Sequence, residues 1–366
     1  MHHVKIEVNR DPFHTVLHTP TLADVAQAAG VSVATVSRYR RGSRRFASVL
    51  EARIDAAVAA LGYRDNRLAR GLVTGRTGAV GLVVLDLANP HFSSLVQGAQ
   101  RVAAQHQLSL AFVDTAESQA PERQLVEALA QRVDGLVVSA RLAGGALDWI
   151  TRLGKPVVFF GHGGLAGWHS VGTDGHAAAL LLGRHLAERG HRQVTYLDFA
   201  ASRWSAERLR GLREALAEVG GEVTAHGVAS PGAEAGEAAA AAVLLAPRGG
   251  TAARRPDAVV AYNDLVAVGF MHEAQRLGVA VPGEVAVAGF DDIEWARHVS
   301  PALTSMAMNS QAMGAVAMQR LLQLMAGELP LPFDETLPPR LMVRESSAAP
   351  SRRFSPVAPV CGAALP

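Results

Sequence analysis

The chain has 366 residues, enough for two or three domains, and with 49% of them apolar it can bury substantial cores. Its one cysteine, Cys361, excludes an internal disulfide framework, and no apolar run approaches the ~18 residues that a membrane span needs. Residues 1–20 carry His, Lys, Glu, Arg and Asp with no apolar core of a secretory signal, so a cytoplasmic protein without a membrane partner is expected. The formal charge of +2 hides an asymmetry: residues 20–77 hold ten arginines against Asp24, Glu51, Asp55 and Asp65, whereas everything after Thr77 is net acidic. A basic block on an acidic body suits a polyanion partner, and charge alone suits a solvated surface equally well.

Residues 1–19 show no periodicity and are expected to be a flexible extension. From Thr21 to Leu61 Ala, Val and Leu recur at three- and four-residue spacing, which predicts helices throughout. Thr21 is placed to cap a first helix, with Asp24 adding negative charge to its first turn. Gly30 can adopt the left-handed conformation that ends that helix. Ser32 then caps a second helix, whose Val33 and Val36 are expected to pack toward the first. Ala34, Thr35, Ser37 and Arg38 are left for the other face, where small residues permit close approach to a groove and hydroxyls and Arg bond phosphate and base edges. The pattern fits an ordinary helical hairpin as well as a helix-turn-helix; the adjoining Arg38, Arg40, Arg41, Arg44 and Arg45 favour DNA. A third helix, roughly Val49–Leu61, would complete a small core through Ile54, Val58 and Leu61.

From Ala79 the texture changes. Strand-like runs at Ala79–Val84, Leu108–Val113, Gly135–Ser139, Pro156–Phe160, Gln193–Leu197, Asp257–Ala261 and Val285–Phe290 alternate with helical stretches such as Phe92–Gln105, Ser118–Gln131, His176–Arg189, Trp204–Val219 and Asp264–Leu277. That alternation predicts βαβ units and parallel sheets, arranged as two doubly wound lobes with a ligand cleft between them. Residues 246–256 read as a surface loop, and the Ala-, Pro- and Ser-rich tail after Arg344 as disordered.

The run TLADVAQAAGVSVATVSRYR at 21–40, continued by LGYRDNRLARGL at 61–72, resembles the headpiece and hinge of the lactose-repressor/galactose-repressor (LacI/GalR) family of bacterial regulators. VGLVVLDLANPHF at 80–92, the Arg208-x-x-Gly211 pair, AYND at 261–264, GFDD at 289–292 and PALT at 301–304 resemble, in order and spacing, that family's periplasmic-binding-protein-like core. The resemblance implies an all-α helix-turn-helix headpiece plus an α/β core of two doubly wound parallel-sheet lobes. Its divisions would be an extension at 1–19, a headpiece at 20–64, a hinge helix and linker at 65–77, a core at 78–345 and a disordered tail at 346–366. Within the core, one lobe would take about 78–173 and 310–337, the other about 174–309 and 338–345.

By the same resemblance Ser32, Val33, Ala34, Thr35, Ser37, Arg38 and Arg41 meet DNA together with Asn66, Ala69 and Leu72 of the hinge. Leu72 would wedge into the minor groove; read without the family, it simply begins the linker's packing. Phe92, Arg208, Asn263 and Asp291 would line the cleft and bind the effector, a chemistry suited to a polyhydroxy ligand. Taken alone, Arg208 reads as a helix-surface charge and Asp291 as a turn residue. The chain departs from the family at Tyr39–Gly42, at Asp65 where a proline is usual, at Leu50-Glu51, at Gly161-His162, and near Pro231, where an aromatic is usual. The implied partners are double-stranded operator DNA, a small sugar or sugar derivative, and a second copy of the chain.

Other classes fit less well. An exported sugar-binding protein would need a signal and no headpiece. An enzyme would need a catalytic signature, and neither Gly-x-Gly-x-x-Gly after the first strand, nor a P-loop, nor a Gly-x-Ser-x-Gly elbow is present. His185 with His191, and His162 with His169, are not at helical metal-ligand spacing, so no metal or cofactor is expected.

Overall fold

The computed structural model describes residues 20–63, 75–117, 119–139, 148–161, 167–245 and 255–347. The chain divides into two compact units, residues 1–75 and 76–366.

The described part of the first unit is three helices, α1 (Leu22–Ala29), α2 (Val33–Arg40) and α3 (Ser48–Leu61). Local chemistry sets each boundary. Thr21 accepts from the Asp24 N–H while the Asp24 carboxylate accepts from the Thr21 N–H at 2.7 Å, a reciprocal box where only a favourable charge was foreseen. Gly30, at φ +62°, ends α1, and Ser32 caps α2 by accepting from the Thr35 N–H at 3.2 Å. Val25, Ala29, Val36, Ile54 and Ala57 form the buried core, with Val58 and Leu61 packed at its margin.

The described part of the second unit contains two six-stranded sheets. The first carries β1 (Ala79–Val84), β2 (Ser109–Asp114), β3 (Leu136–Val138), β4 (Val157–Phe160), β5 (Ser170–Thr173) and β11 (Asp334–Leu337), in the order β11-β5-β4-β3-β1-β2. With it run α4 (Pro90–Gln105), α5 (Gln119–Ala130), α6 (Asp148–Thr151) and α11 (Ser310–Met325). The second carries β6 (Gln193–Asp198), β7 (Glu222–Gly227), β8 (Ala258–Ala261), β9 (Ala286–Phe290), β10 (Thr304–Ala307) and β12 (Arg340–Met342), in the order β12-β10-β9-β8-β6-β7. Its helices are α7 (Gly175–Glu188), α8 (Arg203–Ala217), α9 (Ala233–Leu244) and α10 (Asp264–Arg276). Central strands such as β8 and β9 are buried along their whole length, as doubly covered parallel sheets require, whereas the edge strands β2 and β7 are mostly exposed or half-buried. β12 departs from the parallel pattern by running antiparallel to β10.

The chain passes between the lobes at Thr173–Gly175, Met308–Ser310 and Leu337–Arg340, and the three passages are tied together. Thr173 Oγ1 donates to the Met308 carbonyl at 3.3 Å, and Asn309 Nδ2 donates to the Pro338 carbonyl at 2.7 Å. At the first sheet's lower end, Asp134 accepts from the Thr77 and Gly78 N–H groups at 2.7 and 2.9 Å, fixing where the body begins.

The tail expectation needs correction. Residues 345–347 form a short 3-10 turn in which Ser346 and Ser347 are buried; Ser346 Oγ donates to the Val287 carbonyl at 2.6 Å and accepts from the Thr304 N–H at 2.8 Å. Hydroxyls that complete a sheet's hydrogen bonding look, in sequence, like the opening of a polar tail. Residues 348–366 lie outside the described part, as does most of the 246–256 loop.

Helix pairs meet at glycines. A Cβ on Gly98 of α4 would lie 2.0 Å from the Gln311 carbonyl oxygen of α11, and one on Gly314 would lie 2.1 Å from that of Leu95. Backbone cannot yield to such a clash, so Gly98→Ala should lower stability by ~1–3 kcal/mol, a drop of several degrees in Tm by calorimetry, with the headpiece unaffected.

Candidate DNA-binding surface and effector cleft

In the headpiece, α2 turns Val36 fully inward and leaves Ser32, Val33, Ala34, Arg38 and Arg41 exposed, with Thr35 and Ser37 half-buried. Val33 does not pack toward α1; it is 46% exposed. It stands at the first helical position, beside the turn, and Val31 of that turn fills the adjoining edge of the core instead. The hydroxyls are partly engaged already: Ser32 Oγ and Thr35 Oγ1 lie 2.8 Å apart within the cap, and Arg41 Nε donates to the Ser37 carbonyl at 3.0 Å. Arg38 makes no side-chain hydrogen bond within the described residues. The face is therefore small and apolar at its front, with one uncommitted guanidinium beyond. Asn66, Ala69 and Leu72 lie outside the described residues.

Phe92, Arg208, Asn263 and Asp291 all line one cavity between the lobes of the body. Each is placed by a different element. Asn89 caps α4, accepting from the His91 N–H at 3.0 Å, and so aims His91 and Phe92 at the cleft, their rings edge to face at 4.9 Å. Asn263 caps α10: Oδ1 accepts from the Val266 N–H and Nδ2 donates to the Pro231 carbonyl, both at 2.9 Å. Much of its amide is thus structural, leaving one amide hydrogen and one lone pair for a ligand.

Arg208 projects from α8, which packs closely on α7 because position 211 is glycine; a Cβ there would lie 2.4 Å from the His176 carbonyl oxygen. The Arg208-x-x-Gly211 spacing therefore has a physical cause. The guanidinium carbon sits 4.2 Å from the Phe290 ring centroid and 5.0 Å from that of Tyr262, and Nη1 donates to the Tyr262 carbonyl. Arg208 is 6% exposed, its Nε has no partner, and no carboxylate among the described residues pairs with it.

Asp291 follows β9 with φ +107°, outside the range that L-residues favour, and its N–H donates to the Met306 carbonyl at 2.8 Å. Beneath it Asp264 is fully buried, accepting from Ser305 Oγ at 2.6 Å and from the Ile293 N–H at 2.9 Å. Burial, reinforced by the Asp291 charge, pushes the Asp264 carboxyl well above the usual carboxylate range.

The cavity also contains residues not foreseen from sequence. Trp204 lies one helical turn before Arg208 on the same face of α8, and its indole N–H donates to the Gly161 carbonyl of the other lobe. It supplies an aromatic wall although the loop near Pro231 has none; the i, i+4 spacing of Trp204 and Arg208 was a legible signal. Ser139, at the end of β3, has a buried hydroxyl without a partner among the described residues. His91, Glu117, Thr173, Met308 and Met313 also line it, and nothing in the sequence pattern marks them.

A helix-turn-helix unit together with a two-lobed body and an interlobe cavity defines a class: DNA-binding regulators with a periplasmic-binding-protein-like body. Comparison with known proteins agrees. Residues 21–66 match the family model described as bacterial regulatory proteins, lacI family, and residues 184–347 match a periplasmic binding protein-like domain. The chain is 34% identical to the HTH-type transcriptional regulator GalR of Escherichia coli K12, over 92% of this chain and 98% of that protein. It is 29% identical to catabolite control protein A of Staphylococcus xylosus, over 85% and 94%. The lac repressor dimer bound to operator and the anti-inducer ONPF superimposes with a TM-score of 0.81 at 26% identity, covering 90% of this chain and 99% of that one. The chain belongs to the lacI family of bacterial transcriptional regulators, and its relatives are regulators of transcription, not enzymes. No helix among the described residues is long and apolar enough to cross a membrane.

The opposed valines of α2 give a direct test. Val36→Ala should destabilise the headpiece by ~2 kcal/mol, whereas Val33→Ala should change its stability by less than ~0.5 kcal/mol while weakening DNA binding. Hydrogen exchange in α1–α3 and an electrophoretic shift separate the two effects.

Proposed function

We propose that the protein is a cytoplasmic repressor that binds a near-palindromic operator as a homodimer and is released from it by a small sugar-like effector held between the lobes. The observation that carries the effector half is Arg208: a permanently charged fork, buried among aromatic rings and short of partners, beside Asp291 and Asn263. Ring-lined walls with a few fixed donors and acceptors suit the apolar faces and hydroxyls of a polyol. The operator half rests on the exposed face of α2 with Arg38, in a block that is strongly basic. One structural neighbour is described as a complex of the regulator CelR with cellobiose, and another as a repressor dimer on its operator, which supports both halves.

In this reading α2 enters the major groove, Arg38 reads a base edge, most naturally guanine, and Asn66, Ala69 and Leu72 act at the minor groove. Two headpieces presented by a dimer read two half-sites. Effector binding changes the relation of the lobes, and operator and effector then oppose one another through a reciprocal coupling of ~1–3 kcal/mol. The competing reading, a cytosolic sugar-binding protein or sugar-active enzyme that ignores DNA sequence, predicts no preference among duplexes.

Arg38→Ala should cost ~1–3 kcal/mol in operator binding and relax preference at one position of each half-site, measured on operator variants selected from random duplexes. Binding by the unaltered protein should weaken steeply as salt rises, because phosphate neutralisation releases counterions; a salt-independent affinity contradicts the operator reading. Arg208→Ala should keep operator affinity yet lose the rise in melting temperature given by whichever sugar, polyol or sugar acid stabilises the unaltered protein in a thermal-shift panel.

A further inference from the structure

His91 plays no part in the regulatory mechanism above. Its imidazole stands where the lobes meet. Nδ1 lies 2.8 Å from Ser310 Oγ, on its own lobe, and 3.5 Å from Asp291 Oδ1, on the other. The side chain is only 15% exposed, and its neighbour Phe92 packs edge-on against it. The charged groups acting on it are Asp291, from the turn after β9, and Arg208, from α8; α11 presents the neutral Ser310. A histidine set where two lobes meet changes its hydration when they part.

We propose that His91 is a proton-sensitive latch of the interlobe cleft: the neutral imidazole bridges Ser310 and Asp291 when the lobes are together, and its protonation drives them apart. The proposal rests on the cleft being the effector site only in so far as opening it alters effector affinity; the latch itself requires no ligand.

The sign follows from which influence dominates. Burial disfavours the imidazolium and Arg208 opposes it as well, while Asp291 pulls the other way with less effect, so the imidazole is held below the usual histidine value. In the open cleft a hydrated His91 returns toward about 6.5. Protons therefore bind the open form better. The closed form is favoured at and above neutrality and loses ground as the pH falls through about 6.5.

The test uses the full-length chain with its one cysteine removed, Cys361→Ser, and two exposed arginines replaced for spin labelling, Arg152→Cys on the first lobe and Arg276→Cys on the second. Interlobe distances are measured by pulsed electron resonance between about pH 7.5 and about pH 5.5, with circular dichroism verifying that the chain stays folded. The expected result is a shift toward longer distances on acidification, absent in both His91→Phe and His91→Gln. An equal shift in those variants, or none in the parent, overturns the latch. Because no small molecule is added, either outcome leaves the effector reading standing or falling by its own experiment.

Discussion

A guanidinium cannot shed its charge, so burying Arg208 obliges the surrounding structure, or a ligand, to make up for lost water. The fold does part of this with the Tyr262 carbonyl and the faces of Phe290 and Tyr262, and among the described residues leaves Nε without a partner. Much of the body can be read as the apparatus that holds this one group at the cleft. Gly211 lets α8 approach α7, Asn263 fixes the start of α10 beside it, and the buried Asp264 supports the turn that presents Asp291. Among the polar groups facing the cavity, Arg208, Ser139, Asp291 and the remainder of the Asn263 amide have capacity to spare.

The lobes are joined by three chain passages rather than one. Hydrogen bonds from Thr173 to Met308 and from Asn309 to Pro338 tie them into a narrow band, so relative lobe motion is confined to a hinge-like mode. Two contacts cross the cleft between the lobes, Trp204 to Gly161 and His91 to Asp291. A ligand or a proton acts in the proposed mechanism by shifting an equilibrium between two arrangements of the lobes through these contacts.

In the headpiece, short helices hold because their ends are chemically closed. The Thr21–Asp24 box, Gly30 and the Ser32 cap fix a tight turn between α1 and α2 that brings Val36 onto Val25 and Ile54. The same closure engages Ser32 and Thr35, whereas Arg38 makes no side-chain hydrogen bond among the described residues. The hydroxyls nearest the helix start serve the helix first.

Sequence by itself determined whatever depends on near neighbours along the chain. The caps and glycine of the headpiece, its basic charge, and the alternation of apolar strands with amphipathic helices in the body are local in origin, and they sufficed to define both kinds of fold. The Arg208-x-x-Gly211, AYND and GFDD runs marked the cleft only through family likeness, since a helix arginine and a turn aspartate carry no sign of burial. Tertiary structure decided what depends on distant partners. It made Asn263 a cap as well as a lining residue, placed Trp204 where an aromatic was lacking, set His91 against a carboxylate two hundred residues away, and turned Ser346 and Ser347 from apparent tail into sheet packing. Val33 shows the same limit at short range, because helical period fixes which way a side chain points but not whether anything lies there to cover it.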